Sequence, residues 1–159
     1  MSASHAHDHS RCINDALAAA DAVCAERGVR LTEIRRRVLE LVWQSHRPVG
    51  AYDLLDRLAS EGRRAAPPTV YRALDFLMEH GLVHRIHSLN AFVGCAWAGE
   101  GHSANFMICS GCGEAVEFDG TGLTEAIGRI GAGHGFRVRS QVVEVIGRCA
   151  GCAGEAGHG

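Results

Sequence analysis

Cys109-Ser-Gly-Cys112 and Cys149-Ala-Gly-Cys152 bracket 36 residues, Gly113 to Arg148, and the reading of that bracket decides the fold. Two Cys-x-x-Cys pairs bring four thiolates within reach of one another, the usual tetrahedral shell of a structural zinc ion. The intervening segment is too long for a small zinc ribbon, so it is expected to be a folded element whose two ends the metal pins together. The competing readings are two disulfides or four buried thiols. No secretory signal precedes the domain and no transmembrane run occurs, so a reducing, cytoplasmic setting is expected and zinc is favoured.

Working outward, 159 residues at 47% hydrophobic suffice for one sizeable core or two small ones. A formal net charge of −2 carries no nucleic-acid signature for the whole chain, but the halves differ. From Arg27 to Arg85 there are 11 arginines against 7 acids, a balance of +4. From Asn90 onward there are 4 arginines against 7 acids, a balance of −3. A basic front and an acidic back fit an anion-binding module joined to a second one.

Residues 1–10, with His5, His7 and His9, read as a disordered arm. Ile13, Leu17, Ala20 and Cys24 then recur at helical spacing as far as Gly28, with Cys24 acting as a small hydrophobe. A second helix follows, with Thr32 at its N-cap and Ile34, Val38, Leu41 and Val42 facing inward. Arg35, Arg36 and Arg37 extend from it. After Pro48-Val-Gly, a third helix carries Leu54, Leu55 and Leu58 up to Gly62. The fourth, from Pro67-Pro-Thr-Val-Tyr-Arg-Ala-Leu-Asp-Phe-Leu to Gly81, has prolines just inside its start and glycine just past its end. It turns Val70, Leu74, Leu77 and Met78 inward and leaves Thr69, Tyr71, Arg72 and Glu79 outside.

Two alternating runs, Leu82-Val-His-Arg-Ile-His and Ala91-Phe-Val-Gly-Cys, complete the pattern of a winged helix-turn-helix. The last helix of such a module enters the major groove with its N-terminal residues foremost. Arg72 is placed to pair with a guanine edge, Tyr71 to touch phosphate or a thymine methyl, and Tyr52 is a second candidate contact. A looser stretch, 96–104, reads as a hinge. Beyond it come a strand at Asn105–Cys109, a turn, a strand at Ala115–Phe118, a helix from Thr121 to Gly131 and a strand from Phe136 to Ile146. Val138, Val142, Val143, Val145 and Ile146 are more apolar than so small a unit needs, which favours cover by a partner subunit.

A second metal site emerges from the hairpin. If it turns about Leu89–Asn90, Ile86 faces Val93, His84 faces Cys95 and Leu82 faces Trp97, all on one face. His84 and Cys95 thereby become facing neighbours able to share an ion. His102 and Glu117 are able to complete a tetrahedron, although spacing alone does not select them over His80, His87, Glu100 or Glu114. A thiolate with two imidazoles suits zinc better than ferrous iron or manganese.

The run from Leu31-Thr-Glu-Ile-Arg-Arg-Arg-Val-Leu through Pro68-Thr-Val-Tyr-Arg-Ala-Leu to both Cys-x-x-Cys pairs resembles the ferric uptake regulator family over residues 13–152. It is most similar to the zinc uptake regulator branch. The His-His-Asp-His stretch typical of iron-sensing members is replaced by His102-Ser-Ala-Asn105. The resemblance implies a structural zinc on Cys109, Cys112, Cys149 and Cys152. It implies a sensory zinc on His84, Cys95, His102 and Glu117, hence two zinc ions per subunit. DNA contact falls on Tyr52, Thr69, Tyr71 and Arg72.

The expected fold is α+β: an N-terminal winged helix-turn-helix domain (11–95), a hinge (96–104), a small α/β dimerisation and metal-binding domain (105–152) stapled by zinc, and a tail (153–159). The expected function is that of a cytoplasmic, homodimeric, zinc-dependent repressor of zinc-uptake genes acting on double-stranded operator DNA. No membrane and no small-molecule substrate is expected. The nearest rival is the same architecture sensing another metal or peroxide. A zinc hydrolase or deaminase is disfavoured because four protein ligands leave no position for an activated water and no His-x-Glu with Pro-Cys-x-x-Cys pattern occurs. A metal buffer built on the N-terminal histidines needs no winged helix.

Overall fold

A computed structural model describes residues 9–45 and 47–154. His5, His7 and the tail beyond 154 lie outside the described residues. The chain divides into two compact units, Met1–Glu100 and Gly101–Gly159, the break falling inside the stretch read as a hinge.

The first unit contains α1 (His9–Glu26), α2 (Glu33–Trp43), α3 (Ala51–Ser60), α4 (Pro67–Glu79), β1 (Val83–Ile86) and β2 (Ala91–Gly94). Helix α1 starts inside the segment expected to be an arm. Its Ala20, Val23 and Cys24 join Val38, Leu41 and Val42 of α2 in one core, with Leu54, Leu58, Val70, Leu74 and Leu77 from α3 and α4. Thr32 occupies the N-cap of α2 in an extended conformation, but its hydroxyl makes no capping bond. Helix α4 opens on Pro67 and Pro68, and the chain reverses at Gly81 with φ +67°. There the N–H of Leu82 donates to Leu77 O at 2.8 Å, closing the helix and launching β1.

The hairpin corrects one expectation. A 3₁₀ turn over His87–Leu89 and a left-handed Asn90 centre the loop one residue earlier than assumed. Ile86 therefore pairs with Ala91 and His84 with Val93, rather than His84 with Cys95. Cys95 instead donates its N–H to Leu82 O at 3.0 Å. Each partner moves by two residues, so the faces are preserved and His84 and Cys95 become diagonal neighbours. Val49 adds an isolated antiparallel bridge to Phe92, which ties the entry of α3 to the wing.

The second unit has β3 (Ala104–Cys109), β4 (Ala115–Glu117), α5 (Thr121–Gly133), β5 (Val142–Gly147) and a short α6 (Ala150–Gly154). The sheet order is β4-β3-β5, with β3 antiparallel to β4 and parallel to β5. The last strand starts six residues later than its apolar run suggests. Gly135, at φ +67°, turns the chain, and the N–H of Phe136 caps α5 by donating to Gly131 O at 2.7 Å. A β-carbon at Gly131 would lie 2.9 Å from Val138, so this part of the run packs on the helix end before any ladder forms. Helix α6, unforeseen, reaches into the stretch read as tail. Met107, Val116 and Val145 form one cross-strand row, each about half exposed, on a sheet whose β5 edge is unpaired among the described residues.

Candidate metal centres and nucleic-acid interface

The parallel register sets Cys109 beside Gly147, so β3 and β5 deliver their C-terminal ends to the same edge. The turn after β3 brings Cys112 back, and α6 carries Cys152 one turn beyond Cys149, with Ala153 N–H donating to Cys149 O at 2.8 Å. The four sulfurs all lie within 4.8 Å of one another. Cys112 and Cys149 are 3.9 Å apart, far beyond a disulfide bond. A zinc tetrahedron with bonds of about 2.3 Å has sulfur–sulfur edges of about 3.8 Å, so the donor set fits that ion. Gly111 is required here, because a β-carbon on it would sit 2.9 Å from Cys152.

The electrostatics of the cluster are those of thiols crowded together. The backbone N–H of Cys149, at 3.3 Å from Cys109 Sγ, leads the N–H donors that hold the Cys109 thiol down to about 6. The backbone N–H of Glu114 favours the Cys112 thiolate, yet the sulfur of Cys109, burial and Cys149 together raise Cys112 above its ordinary value. Cys152 is pushed up to about 12, first by Cys149 and then by Cys109. Cys109 is thus favoured as a thiolate, whereas Cys112 and Cys152 resist ionisation until a cation is supplied.

The other expected ligands are placed in two pairs. In the first unit His84 lies on β1 and Cys95, 3% exposed, follows β2. In the second unit His102 Nε2 lies 2.8 Å from Glu117 Oε1, and the Glu117 side chain is only 6% exposed. Each pair offers donors suited to zinc, thiolate with imidazole in one and imidazole with carboxylate in the other. Of the alternatives, His80 is consumed by packing. It is 9% exposed, with Arg27 Nη1 3.1 Å from its Nδ1 and the Phe76 ring 4.4 Å away. Glycine at position 94 was missed by sequence reasoning. The Trp43 ring fills the place its β-carbon would take, and the signal available was glycine within a strand.

Helix α4 presents Tyr71, 41% exposed, and an exposed Arg72, while Thr69 is half-buried. Tyr52, at the start of α3, is 70% exposed, which removes its packed alternative. The arginines of α2 behave otherwise. Arg36 pairs with Asp21, Arg37 with Glu40 and Glu61, and Arg63 with Glu33. The Arg35 guanidinium lies 3.7 Å from the Phe76 ring centroid. Much of the positive balance of this unit is therefore spent inside it.

The model of the ferric uptake regulator family matches residues 26–146. The zinc uptake regulation protein of Escherichia coli (strain K12) is 42% identical over 137 residues, covering 86% of this chain and 80% of the relative. A solved zinc uptake regulator complexed with zinc and DNA has a TM-score of 0.86 at 39% identity, over 92% of this chain and 98% of that one. A crystal structure of holo XcZur has a TM-score of 0.82 at 44% identity, over 89% of this chain and 99% of that one.

Proposed function

The chain belongs to the ferric uptake regulator family, and from that premise we propose that it is a zinc-responsive transcriptional repressor of zinc-uptake genes. Its working form is a zinc-bound homodimer on double-stranded operator DNA. It acts in the cytoplasm, without catalysing a reaction, and takes two zinc ions per subunit. Cys109, Cys112, Cys149 and Cys152 hold the structural ion. His84 and Cys95 from the first unit share the regulatory ion with His102 and Glu117 from the second. Tyr52, Thr69, Tyr71 and Arg72 contact DNA. The dimerisation and metal-binding domain is taken as 105–152.

Ligand chemistry carries the reading. Cys95 puts a soft thiolate into a set with two imidazoles and one carboxylate, which suits zinc and argues against iron or manganese. Support comes from the solved relative of nearly equal length that was captured with both zinc and DNA. Thiolate and carboxylate together cancel the charge of a dication, so partial burial costs little. The exposed row Met107, Val116 and Val145 and the open β5 edge supply the surface that a second subunit covers.

Zinc at the regulatory site supplies bonds that join the two units. His84 and Cys95 then orient the reading head relative to the dimerisation unit that carries His102 and Glu117. A preference of about 2–3 kcal/mol for the competent arrangement changes operator affinity some tens- to a hundredfold. Linkage requires operator DNA to tighten zinc binding by the same factor.

The test is a titration of a duplex selected from random-sequence DNA, with zinc, with chelator, and with ferrous iron or manganese in place of zinc. Zinc is expected to give tight binding that chelator abolishes. Equal binding with all three metals, or tighter binding with iron, would falsify the zinc assignment.

A further inference from the structure

The DNA reading gives the phosphate backbone at the mouth of α4 no cation of its own, since Tyr71 is neutral and Arg72 is assigned to a base. Helix N-termini commonly do this with free backbone N–H groups. Helix α4 has lost that capacity. Pro67 and Pro68 carry no N–H, and the N–H of Thr69 is already donated to Ala66 O at 2.9 Å. The positive end of the helix dipole remains, but the donors of the first three helical positions do not, so a charged side chain is the stronger means of contact.

Charge accounting identifies which one. Arg36, Arg37 and Arg63 are engaged by acids, Arg35 lies on Phe76, and Arg57 donates to Leu41 O. Arg30 and Arg47 precede α2 and α3 rather than α4. Arg64 stands three residues ahead of Pro67, in the connection that follows Gly62. It is exposed and makes no ion pair among the described residues. Its neighbour Arg63, by contrast, is tied down to Glu33.

We infer that Arg64 is a positioning residue for DNA: its guanidinium takes a phosphate beside the start of α4, in place of the two backbone donors that Pro67 and Pro68 remove. The Arg35-Arg36-Arg37 run, although more basic in sequence, stays off the DNA and binds the unit together. The inference rests on the DNA-binding reading above.

Zinc-loaded, full-length protein is titrated over a range of salt against two duplexes, one selected by the wild-type protein and one random. Arg64→Ala is expected to weaken both by the same factor. It should also lower the slope of log affinity against log salt by about 0.9 per subunit, the signature of one lost phosphate contact. Arg64→Lys keeps the slope, and Arg63→Ala leaves it at the wild-type value. Arg64→Gln, which retains the stem, repeats the comparison, with a melting curve on every variant to separate a lost contact from a lost fold. A wild-type slope in both Arg64→Ala and Arg64→Gln, or a loss confined to the selected duplex, overturns the inference and leaves the regulator reading intact. A wild-type protein that selects no duplex in the presence of zinc overturns that reading, and the inference with it.

Discussion

Trp43 and Gly94 occupy one space: a β-carbon built on Gly94 would lie 2.2 Å from Trp43 Cε2. The ring belongs to the last residue of α2, and Gly94 is followed directly by the buried Cys95. Gly94→Ala must displace either the indole or the strand. Overpacking of this kind costs about 1–3 kcal/mol, so the melting temperature is expected to fall. Zinc-dependent DNA binding is expected to weaken as well, since Cys95, a proposed ligand, directly follows the displaced strand. A variant that melts and responds to zinc like the wild type would show that the ring swings aside freely.

The two groups of proposed ligands are expected to fail differently. Cys112→Ser or Cys149→Ser removes a ligand whose binding energy is folding energy, and the second unit should lose its structure and the dimer with it. Cys95→Ser should remain a folded dimer that no longer answers zinc. Circular dichroism and sedimentation distinguish the two. An unfolded Cys95→Ser chain would mean that the structural and regulatory roles have been exchanged.

Arg72→Ala is expected to reduce affinity for the selected duplex by about 1–3 kcal/mol, the cost of a lost bidentate guanine contact, with little change on random DNA. Binding assays on both duplexes decide the matter. Equal loss on the two would place Arg72 on phosphate instead.

Zinc capture by the four-cysteine cluster should release protons. Cys112 is raised and Cys152 is pushed up to about 12, so both are protonated at neutral pH and must give up a proton to bind metal. The logarithm of apparent zinc affinity is expected to rise with pH with a slope of at least about two near neutrality. The slope should steepen below about 6, where Cys109 also takes up its proton. Competition with a chromophoric chelator measures this, and a slope below two would remove one of these sulfurs from the ligand set.

On the acid side, the bond from Arg37 holds the Glu61 carboxyl below its ordinary 4.5. A carboxyl lowered by folding stabilises the fold fully above its ordinary value, and that contribution is lost as pH falls through the lower folded value. Glu61→Gln is therefore expected to melt earlier than wild type at neutral pH, with the gap closing on acidification below about 4.5. A gap that persists in acid would mean that Glu61 acts through packing, not charge.

Local signals carried most of what the sequence made legible. The punctuation of α4 by Pro67, Pro68 and Gly81, the spacing of the four cysteines and the inward residues of α2 each depend on neighbours a few positions away. Long-range geometry was not legible in the same way. The hairpin register hung on whether Ser88-Leu89-Asn90 formed a two-residue turn or a 3₁₀ turn, and the difference moved Cys95 from beside His84 to its diagonal. The right face survived because a shift of two conserves the alternation of the strand. The late start of β5 depends on Val138 meeting Gly131, which no periodicity records. Apart from Glu40, one turn along α2 from Arg37, the acids that neutralise Arg36, Arg37 and Arg63 lie far off in the sequence, so those arginines look like free charge there and are not.

The parallel pairing of β3 with β5 also sets a timetable for assembly. Ala104 meets Val142 only after the chain between them has closed a long ring, whereas the β3–β4 hairpin and α5 need only neighbours. Contacts between sequence-distant residues form late and slowly. On the proposed assignment, a metal first caught by Cys109 and Cys112, three residues apart, would wait at the edge where Cys149 and Cys152 must arrive. Cross-linking a ring of this size removes about 4 kcal/mol of chain entropy from the open state. On that proposal the ion would be a participant in folding as well as a fixture of the folded unit, and the supply of zinc is expected to set how fast a new chain becomes able to respond to zinc.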